Sequence, residues 1–502
     1  MRLGELLRGV RVRKLYTGAY GTSAPTQEIE VRQVHSDSRT VGKGDLFVAL
    51  RGSAVDGHRY IQQALQAGAV AVVLEDETAL PDALAMHQRV AKIVVHDARQ
   101  ALALIAGAVH GHPSRRLRLV GVTGTNGKTT VAHLLRAVLE ASGERVGLVG
   151  TIRHMVGERS VPASHTTPEP LELNALLAAM VQEGCQSVVM EVSSHALDQH
   201  RVGGLHFAAG VFTNLTQDHL DYHGTMDAYA GAKKLLFDSL PSGSKAVINI
   251  DDPWGSLMVR DTAASVTTYG SVAGADLRMA TLQVGLEGIA LTVASGSGQY
   301  SFHSSLTGGF NAWNILAASA AGSALGISWQ TIQAGITAAP PVSGRFERIP
   351  SPAGWSAIVD YAHTPDALQH TLETIRELMP EGRPGRIITV FGCGGNRDRG
   401  KRPQMGRIAS LGSDLTIVTS DNPRNEDPEA IIAEVLAGVV AGRDVRSDAD
   451  RRAAIRMALS LAAAGDVVLV AGKGHERTQE IAGERHPFDD REEVRAFLKE
   501  HP

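Results

Sequence analysis

The stretch LRLVGVTGTNGKTTVAHLLRAVLEASG (117–143) decides the fold. Its first residues, LRLVGV, are mostly Leu and Val, as in strands buried on both faces. A glycine-rich turn follows at 124–127, and from Lys128 onward apolar residues recur at helical spacing. A strand that turns directly into a helix points backbone N–H groups and the positive helix end at one spot, where a phosphate is held. Lys128 would stand against the β- and γ-phosphates of a nucleotide, and the Thr129 hydroxyl would ligate Mg2+. The usual spacing calls for glycine at position 122, but Val122 stands there, with glycines at 121 and 124. The motif is therefore a variant phosphate loop, formed by Gly124, Thr125, Asn126, Gly127, Lys128, Thr129 and Thr130.

Outward from this stretch the same grammar repeats. Short Val/Ile runs stand at 69–76, 92–99, 186–194, 245–252, 386–395, 414–424 and 466–476, with helical segments between them. With 53 glycines in 502 residues and only 4% aromatics, this is an α/β chain of mostly parallel strands ending in glycine-rich turns. Asp427 followed by Pro428 predicts the cap and first residue of a helix. Periodicity is lost at HGHPSRR (110–116) and AAPPVSGR (338–345), so about three domains are expected.

Composition excludes several classes. A net charge of -4 argues against a broadly basic nucleic-acid-binding surface. Two cysteines, Cys185 and Cys393, cannot make a disulfide framework, and no apolar run is long enough for a signal peptide or membrane span. A cytoplasmic protein without membrane insertion is expected.

In parallel sheets ligands gather at the carboxyl ends of strands. Here those ends carry 123–130, 191–195, 392–397, 421–424 and 472–476, all polar, charged or glycine-rich. Metal near the phosphates would need hard oxygen or imidazole ligands, for which Glu191 and His219 are candidates. Taken singly, both are ordinary strand-end groups.

The ordered series GTNGKTT (124–130), HTTPE (165–169), MEVSSHALDQHRV (190–202), TNLTQDHLDYHG (213–224), AKKLLF (232–237), GGFNAWN (308–314), SGRFE (343–347), VDYAHTPD (359–366) and FGCGGNRDRGKRP (391–403) resembles the Mur ligase family. These are ATP-dependent enzymes that add amino acids to the nucleotide-linked peptide precursor of bacterial cell wall. DSRTVGKGDLFVAL (37–50) resembles a uridine-binding domain of that family. The resemblance implies a uridine-binding domain at 1–100, a central phosphate-loop ATPase domain at 101–341 and a C-terminal Rossmann-like domain at 342–502. It implies a monomer working on small molecules in cytoplasmic peptidoglycan synthesis. Its chemistry is phosphorylation of a carboxylate by ATP, then attack of an amine on the acyl phosphate.

The resemblance also carries roles to particular residues. Lys128 and Thr129 would serve the phosphates and a first Mg2+. Glu191, His219 and a Lys233 carbamoylated by CO2 would hold a second, since a carbamate oxygen suits Mg2+ where an ammonium would be repelled. Asn311 and Asn314 would contact adenine, or else cap the following helix. Arg345 would reach the γ-phosphate and Asp360 the ribose, engaging ATP on domain closure. The UDP-linked substrate would meet Ser36, Ser38, Ser53, Ala54 and Val55 at its uridine end. At the sugar-peptide end stand His165, Thr166, Thr167, Ser193, Gln199 and Arg201. His165 stands where some relatives carry Asn, and 53–55 departs from other members.

The incoming amine is read from Asp421-Asn422-Pro423-Arg424, which resembles the signature of members that add meso-diaminopimelate to a UDP-N-acetylmuramoyl dipeptide. Diaminopimelate carries one carboxylate more than lysine, and a guanidinium fork grips it with two charge-assisted hydrogen bonds. Asn422 would accept from an ammonium, Glu476 would offset the distal ammonium, Arg397 would hold the other carboxylate, and Gly472 would leave room for backbone contact. An ordinary Asp-Asn-Pro turn with a surface arginine is the plain alternative. The competing functions are a lysine-adding ligase, a folylpolyglutamate-type ligase, or a phosphate-loop switch or transport ATPase.

Overall fold

The computed structural model describes residues 1–17, 29–52, 55–163, 165–285, 287–379 and 385–501. The chain is α/β, with mostly parallel sheets in an N-terminal, a central and a C-terminal domain. It divides into two compact units, Met1–Lys128 with Ser142–Thr267, and Thr129–Ala141 with Thr268–Pro502.

In the first unit a five-stranded sheet has the order Val12–Tyr16, Ala91–Val95, Ala71–Leu74, Leu46–Val48, Val34–His35. Only the Val12–Tyr16 edge is antiparallel. Leu46, Val48, Val73 and Ile93 pack one face against Leu102 and Ile105 of the helix Ala98–Val109. Asp97 caps that helix by accepting from Gln100 N at 2.9 Å, which satisfies one of its orphan donors.

The parallel strands that carry the phosphate loop run Lys245–Asn249, Phe207–Phe212, Arg118–Thr123, Ser187–Glu191 and Val146–Val149. Arg118–Thr123 is thus flanked on both sides. Glu191 pairs with Val122, and Phe212 with Thr123. In-register parallel pairing therefore sets the residues after Thr123 between Glu191 and the Thr213-Asn214 turn.

In the second unit a six-stranded sheet runs Glu347–Pro350, Ser356–Asp360, Val467–Ala471, Ile387–Phe391, Leu415–Thr419, Val445–Asp448, with only the first strand antiparallel. Alternate side chains enter opposite cores. Ile358, Leu469 and Val418 pack on one face, and Val359, Val468, Val470 and Ile417 on the other. This is why the sequence shows unbroken apolar runs there. Asp427 caps the helix Pro428–Leu436, with Pro428 in its first turn, as its sequence predicts.

The second unit also holds an antiparallel meander, Leu277–Gly285, Gly288–Ser295 and Gly298–Ser304, that the apolar runs do not announce. Its first and third strands are half exposed and rich in Ser, Thr and Gln, so no continuous Val/Ile run marks them. Among the described residues no helix is long and apolar enough to cross a membrane.

Candidate active site

The loop after Thr123 is stapled to the neighbouring strand end. Gly124 has φ +152°, and a Cβ there would stand 1.8 Å from Thr213 Oγ1. The Thr213 hydroxyl donates to Asn126 O at 2.6 Å, and Asn126 N donates to Asn214 Oδ1 at 2.9 Å. Lys128 opens the helix Lys128–Ala141 and folds back to donate to Gly124 O and Thr125 O, both at 2.9 Å. Thr129 and Thr130 are buried.

Lys233 and Lys234, adjacent on the helix Met226–Asp238, have opposite fates. Lys234 pairs with Asp238 at 2.5 Å and Asp261 at 2.6 Å. Lys233 is buried, donates to Gly124 O at 2.8 Å, and lies 4.4 Å over the Tyr229 ring. Burial, with Lys128 nearby, pushes its pKa well below the ordinary lysine value. That favours a neutral amine, the form able to capture CO2.

Tyr229 organises this corner. Its hydroxyl is 3.1 Å from Thr125 Oγ1 and its ring lies 6.2 Å from that of His219. His219 has φ +53° and a half-exposed ring, with Nε2 at 3.4 Å from Asp218. Burial of its polar atoms and then Lys128 and Lys233 hold its pKa below the usual value, against Asp218. Glu191 is buried and its carboxylate accepts from Thr151 N at 2.8 Å and Thr151 Oγ1 at 3.0 Å. Among the described residues no three His, Cys, Asp or Glu side chains converge on one metal position. The donor set suits Mg2+, which keeps water and phosphate oxygens and takes few protein ligands.

Several residues expected at the sugar-peptide end lie in one hydrogen-bonded patch of the first unit. Thr166 Oγ1 is 3.0 Å from Thr151 Oγ1, while the Thr167 hydroxyl donates to Glu191 O at 2.9 Å and accepts from Ser193 N at 3.2 Å. Arg201 donates to Thr167 O at 3.0 Å and to Gln199 Oε1 at 2.8 Å, and pairs with Glu169 at 3.0 Å. His165 is exposed beside this patch in sequence. The uridine-end residues stand apart in the N-terminal segment. Ser38 donates to Gln63 Oε1 at 2.9 Å, while Ser36 and Val55 are exposed. Ser53 and Ala54 lie outside the described residues.

In the second unit Arg345 lies 4.6 Å over the Tyr361 ring and brings Nη2 to 3.5 Å from Thr129 Oγ1. Its Nε is buried without a hydrogen-bond partner among the described residues. Asp360, expected at the ribose, is held by the protein backbone. Its Oδ2 accepts from Phe346 N at 2.6 Å and its Oδ1 from Ala362 N at 3.0 Å, so it braces the segment that carries Arg345. Asn311 and Asn314, expected at the adenine, are buried and bonded to their own helix start. Asn314 donates to Asn311 Oδ1 and Asn311 donates to Thr307 O, both at 2.7 Å; both lie inside the helix Phe310–Ala324, whose N-cap is Gly309, so neither caps it.

The residues expected at the amino acid meet at neighbouring strand ends. Gly394 faces both arginines, because a Cβ there would come 3.0 Å from Arg424 Nη1 and 3.7 Å from Arg397 Cγ. Arg424, at φ +52°, donates to Gly395 O at 2.8 Å. Gly472 is held against Asp421, whose Oδ2 would lie 2.7 Å from a Cβ. Asn422 differs from expectation. Its Oδ1 accepts from Lys473 Nζ at 2.9 Å and Glu480 N at 3.0 Å, and its Nδ2 donates to Glu476 Oε2 at 2.8 Å. The oxygen meant for a substrate ammonium already has two protein donors.

Comparison with known proteins settles the family. Residues 30–110 match the Mur ligase family catalytic domain, 122–322 the Mur ligase middle domain, and 344–474 the Mur ligase glutamate ligase domain. A Geobacter metallireducens protein named UDP-N-acetylmuramoyl-L-alanyl-D-glutamate--2,6-diaminopimelate ligase is 47% identical over 494 residues, covering 94% of this chain and 95% of its own. A Phocaeicola vulgatus protein of the same name is 45% identical, with 99% of each chain covered. The chain belongs to the Mur ligase family. A solved structure bearing that same ligase name superposes with a TM-score of 0.69 at 35% identity, covering 95% of this chain and 97% of the other.

As a Mur ligase the chain is an ATP-dependent amide-forming enzyme acting on small molecules. Several of this ligase's contacts are made by residues to which the sequence reading gives no role. Thr151 holds Glu191, Tyr229 sits between Lys233 and His219, and Thr213 with Asn214 shapes the loop. Lys473 orients Asn422. Tyr229 and Thr213 lie inside or beside the quoted motifs, so the helical offset from Tyr229 to Lys233 was a usable signal. Thr151 and Lys473 are tertiary contacts that no local pattern encodes.

Proposed function

We propose that this Mur ligase adds meso-diaminopimelate to the D-glutamate carboxylate of UDP-N-acetylmuramoyl-L-Ala-D-Glu, with ATP, in cytoplasmic peptidoglycan precursor synthesis. The observation that carries the choice of amine is the pair Arg424 and Arg397 around Gly394, with Glu476 on the neighbouring strand end. Two guanidinium groups suit an amino acid with two carboxylates, and lysine has only one. The names of the near-full-length relatives support the same reading.

The carboxylate oxygen attacks the γ-phosphorus of ATP, ADP leaves, and the resulting acyl phosphate is attacked by the amine. The amine loses a proton, phosphate leaves with the acyl C–O electron pair, and the amide remains. The loop of 124–130 with Lys128 holds the phosphates, and Arg345 meets the charge that builds on the γ-phosphoryl group. Thr129, Glu191, His219 and a carbamoylated Lys233 would hold Mg2+, which when bound neutralises phosphate charge. Thr166, Thr167, Ser193, Gln199 and Arg201 orient the sugar-peptide end, with Ser36, Ser38 and Val55 at the uridine. The three domains are 1–100, 101–341 and 342–502, acting as a monomer.

The test is ADP release with the UDP-linked dipeptide and each amine in turn. Dependence on both the dipeptide and meso-diaminopimelate is expected. Turnover with lysine alone would give the lysine-adding reading, and turnover without either partner would give a switch or transport ATPase.

A further inference from the structure

The chemistry above leaves unused a fully buried cation, Lys473, whose contacts are with side chains assigned to the amino acid. Its Nζ donates to Asn422 Oδ1 at 2.9 Å and Glu476 Oε2 at 2.8 Å, and stands 3.9 Å from Asp421 Oδ1. An ammonium offers donors only, so it dictates which way an amide faces it. Together with Glu480 N it draws the Asn422 oxygen inward, and the Asn422 amino group is thereby turned onto Glu476. Glu476 Oε2 consequently receives two protein donors, leaving Oε1 to accept from a ligand.

The arrangement also sets charge. Asp421 and Glu476 are two carboxylates on adjacent loops, and Lys473 offsets one of them from inside. Remove that cation and the pocket becomes one unit more negative. The distal end of diaminopimelate is a zwitterion with no net charge, whereas that of lysine is a bare cation. A more negative pocket therefore shifts preference toward lysine.

We propose that Lys473 is a positioning residue that sets amino-acid specificity, fixing the Asn422 amide and one Glu476 oxygen so that the pocket prefers a zwitterionic distal end to a cationic one. This rests on the diaminopimelate reading above. The experiment measures kcat and KM for meso-diaminopimelate, lysine, ATP and the UDP-linked dipeptide in the parent, Lys473→Met and Lys473→Gln. Both variants should lower the diaminopimelate-to-lysine ratio of kcat/KM roughly tenfold or more, chiefly through KM for diaminopimelate. KM for ATP and the dipeptide should stay within about twofold, and Lys473→Arg should recover part of the ratio. An unchanged ratio overturns the proposal, as does a parallel rise of all the KM values. Should neither neutral variant fold, Lys473 holds the fold rather than the specificity, and the proposal falls as well. A parent that uses lysine and not diaminopimelate would instead refute the substrate reading, a result visible before any variant is made.

Discussion

At the phosphate loop Lys128 and Lys233 turn their Nζ atoms to one carbonyl, Gly124 O, at 2.9 and 2.8 Å. In the C-terminal domain each buried cation sits on a carboxylate instead. Lys473 meets Glu476, Arg402 meets Glu426 and Glu434, and Arg451 pairs with Asp490 at 2.8 Å. The first arrangement pushes protons off Lys233 and readies the loop for a polyanion that brings its own charge. The second is balanced before any ligand arrives. Such a pocket gains little from any charge in general and can discriminate between charge patterns.

Lys233 offers the hardest blow to this contrast. Lys233→Ala should lower kcat roughly a thousandfold or more, with the circular dichroism spectrum unchanged, and acetate should restore part of the rate. Steady-state ADP release checks it. Near-parental activity would reduce this lysine to packing and remove the functional meaning of its burial.

Stability separates the two regions next. Arg451 and Asp490 are both fully buried, and Arg451 also donates to Ser420 O and Ala471 O, tying the strand ends that lead to Asn422 and Lys473. Asp490→Asn leaves that guanidinium without its anion and should cost about 3–5 kcal/mol in urea unfolding. The double change Arg451→Met with Asp490→Leu should cost much less. Lys233→Met, which removes a buried amine that is not charge-balanced in this way, should cost little or stabilise. If Asp490→Asn is neutral while Lys233→Met is costly, the contrast is reversed.

Arg424 sharpens the specificity side. Arg424→Ala should raise KM for meso-diaminopimelate roughly a hundredfold while leaving KM for ATP unchanged, as read from initial rates. An unchanged KM for diaminopimelate would detach Arg424 from the amine.

Much of this was legible in the sequence wherever chemistry and backbone geometry coincide. The strand, turn and helix around Lys128, the strands ending at Glu191, Thr419 and Ala471, and the Asp427-Pro428 helix start all lie where their local patterns put them. Less legible was how side chains divide their hydrogen bonds. Asp360, Asn311 and Asn314 each have a residue type suited to a ligand, and each also bonds the protein: Asp360 the hinge backbone, Asn311 the loop before its helix, and Asn314 the Asn311 side chain. The two asparagine bonds are local, at offsets of four and three residues, while the Phe346 N donor to Asp360 is brought by pairing of neighbouring strands and has no fixed offset. The meander of 277–304 escaped for another reason, since half-exposed strands carry polar residues and show no apolar run.

The smallest expected effect lies in acid. His475 is surrounded by basic groups in the otherwise balanced domain, with Arg345, Arg491, His363 and Lys473 acting on it and the Tyr361 ring tilted against it at 4.9 Å. Burial first and these groups next push its pKa down to about 3. The unfolded chain takes up this proton near pH 6.5, while the folded one refuses it until about 3. Between those values the unfolded state binds more protons, so stability falls as the pH is lowered through that window and is fully kept above it. His475→Gln removes the titration and should flatten the decline of unfolding free energy between pH 7 and 4.5, measured by urea titration at fixed ionic strength. The parent and variant curves should converge toward neutral pH apart from a constant offset. Parallel curves would mean that the imidazole takes its proton as readily folded as unfolded. In that case Glu476 and Asp421 would be neutralising the pocket more fully than Lys473 and the arginines charge it, and the ground for its preference among amines would have to be sought in shape.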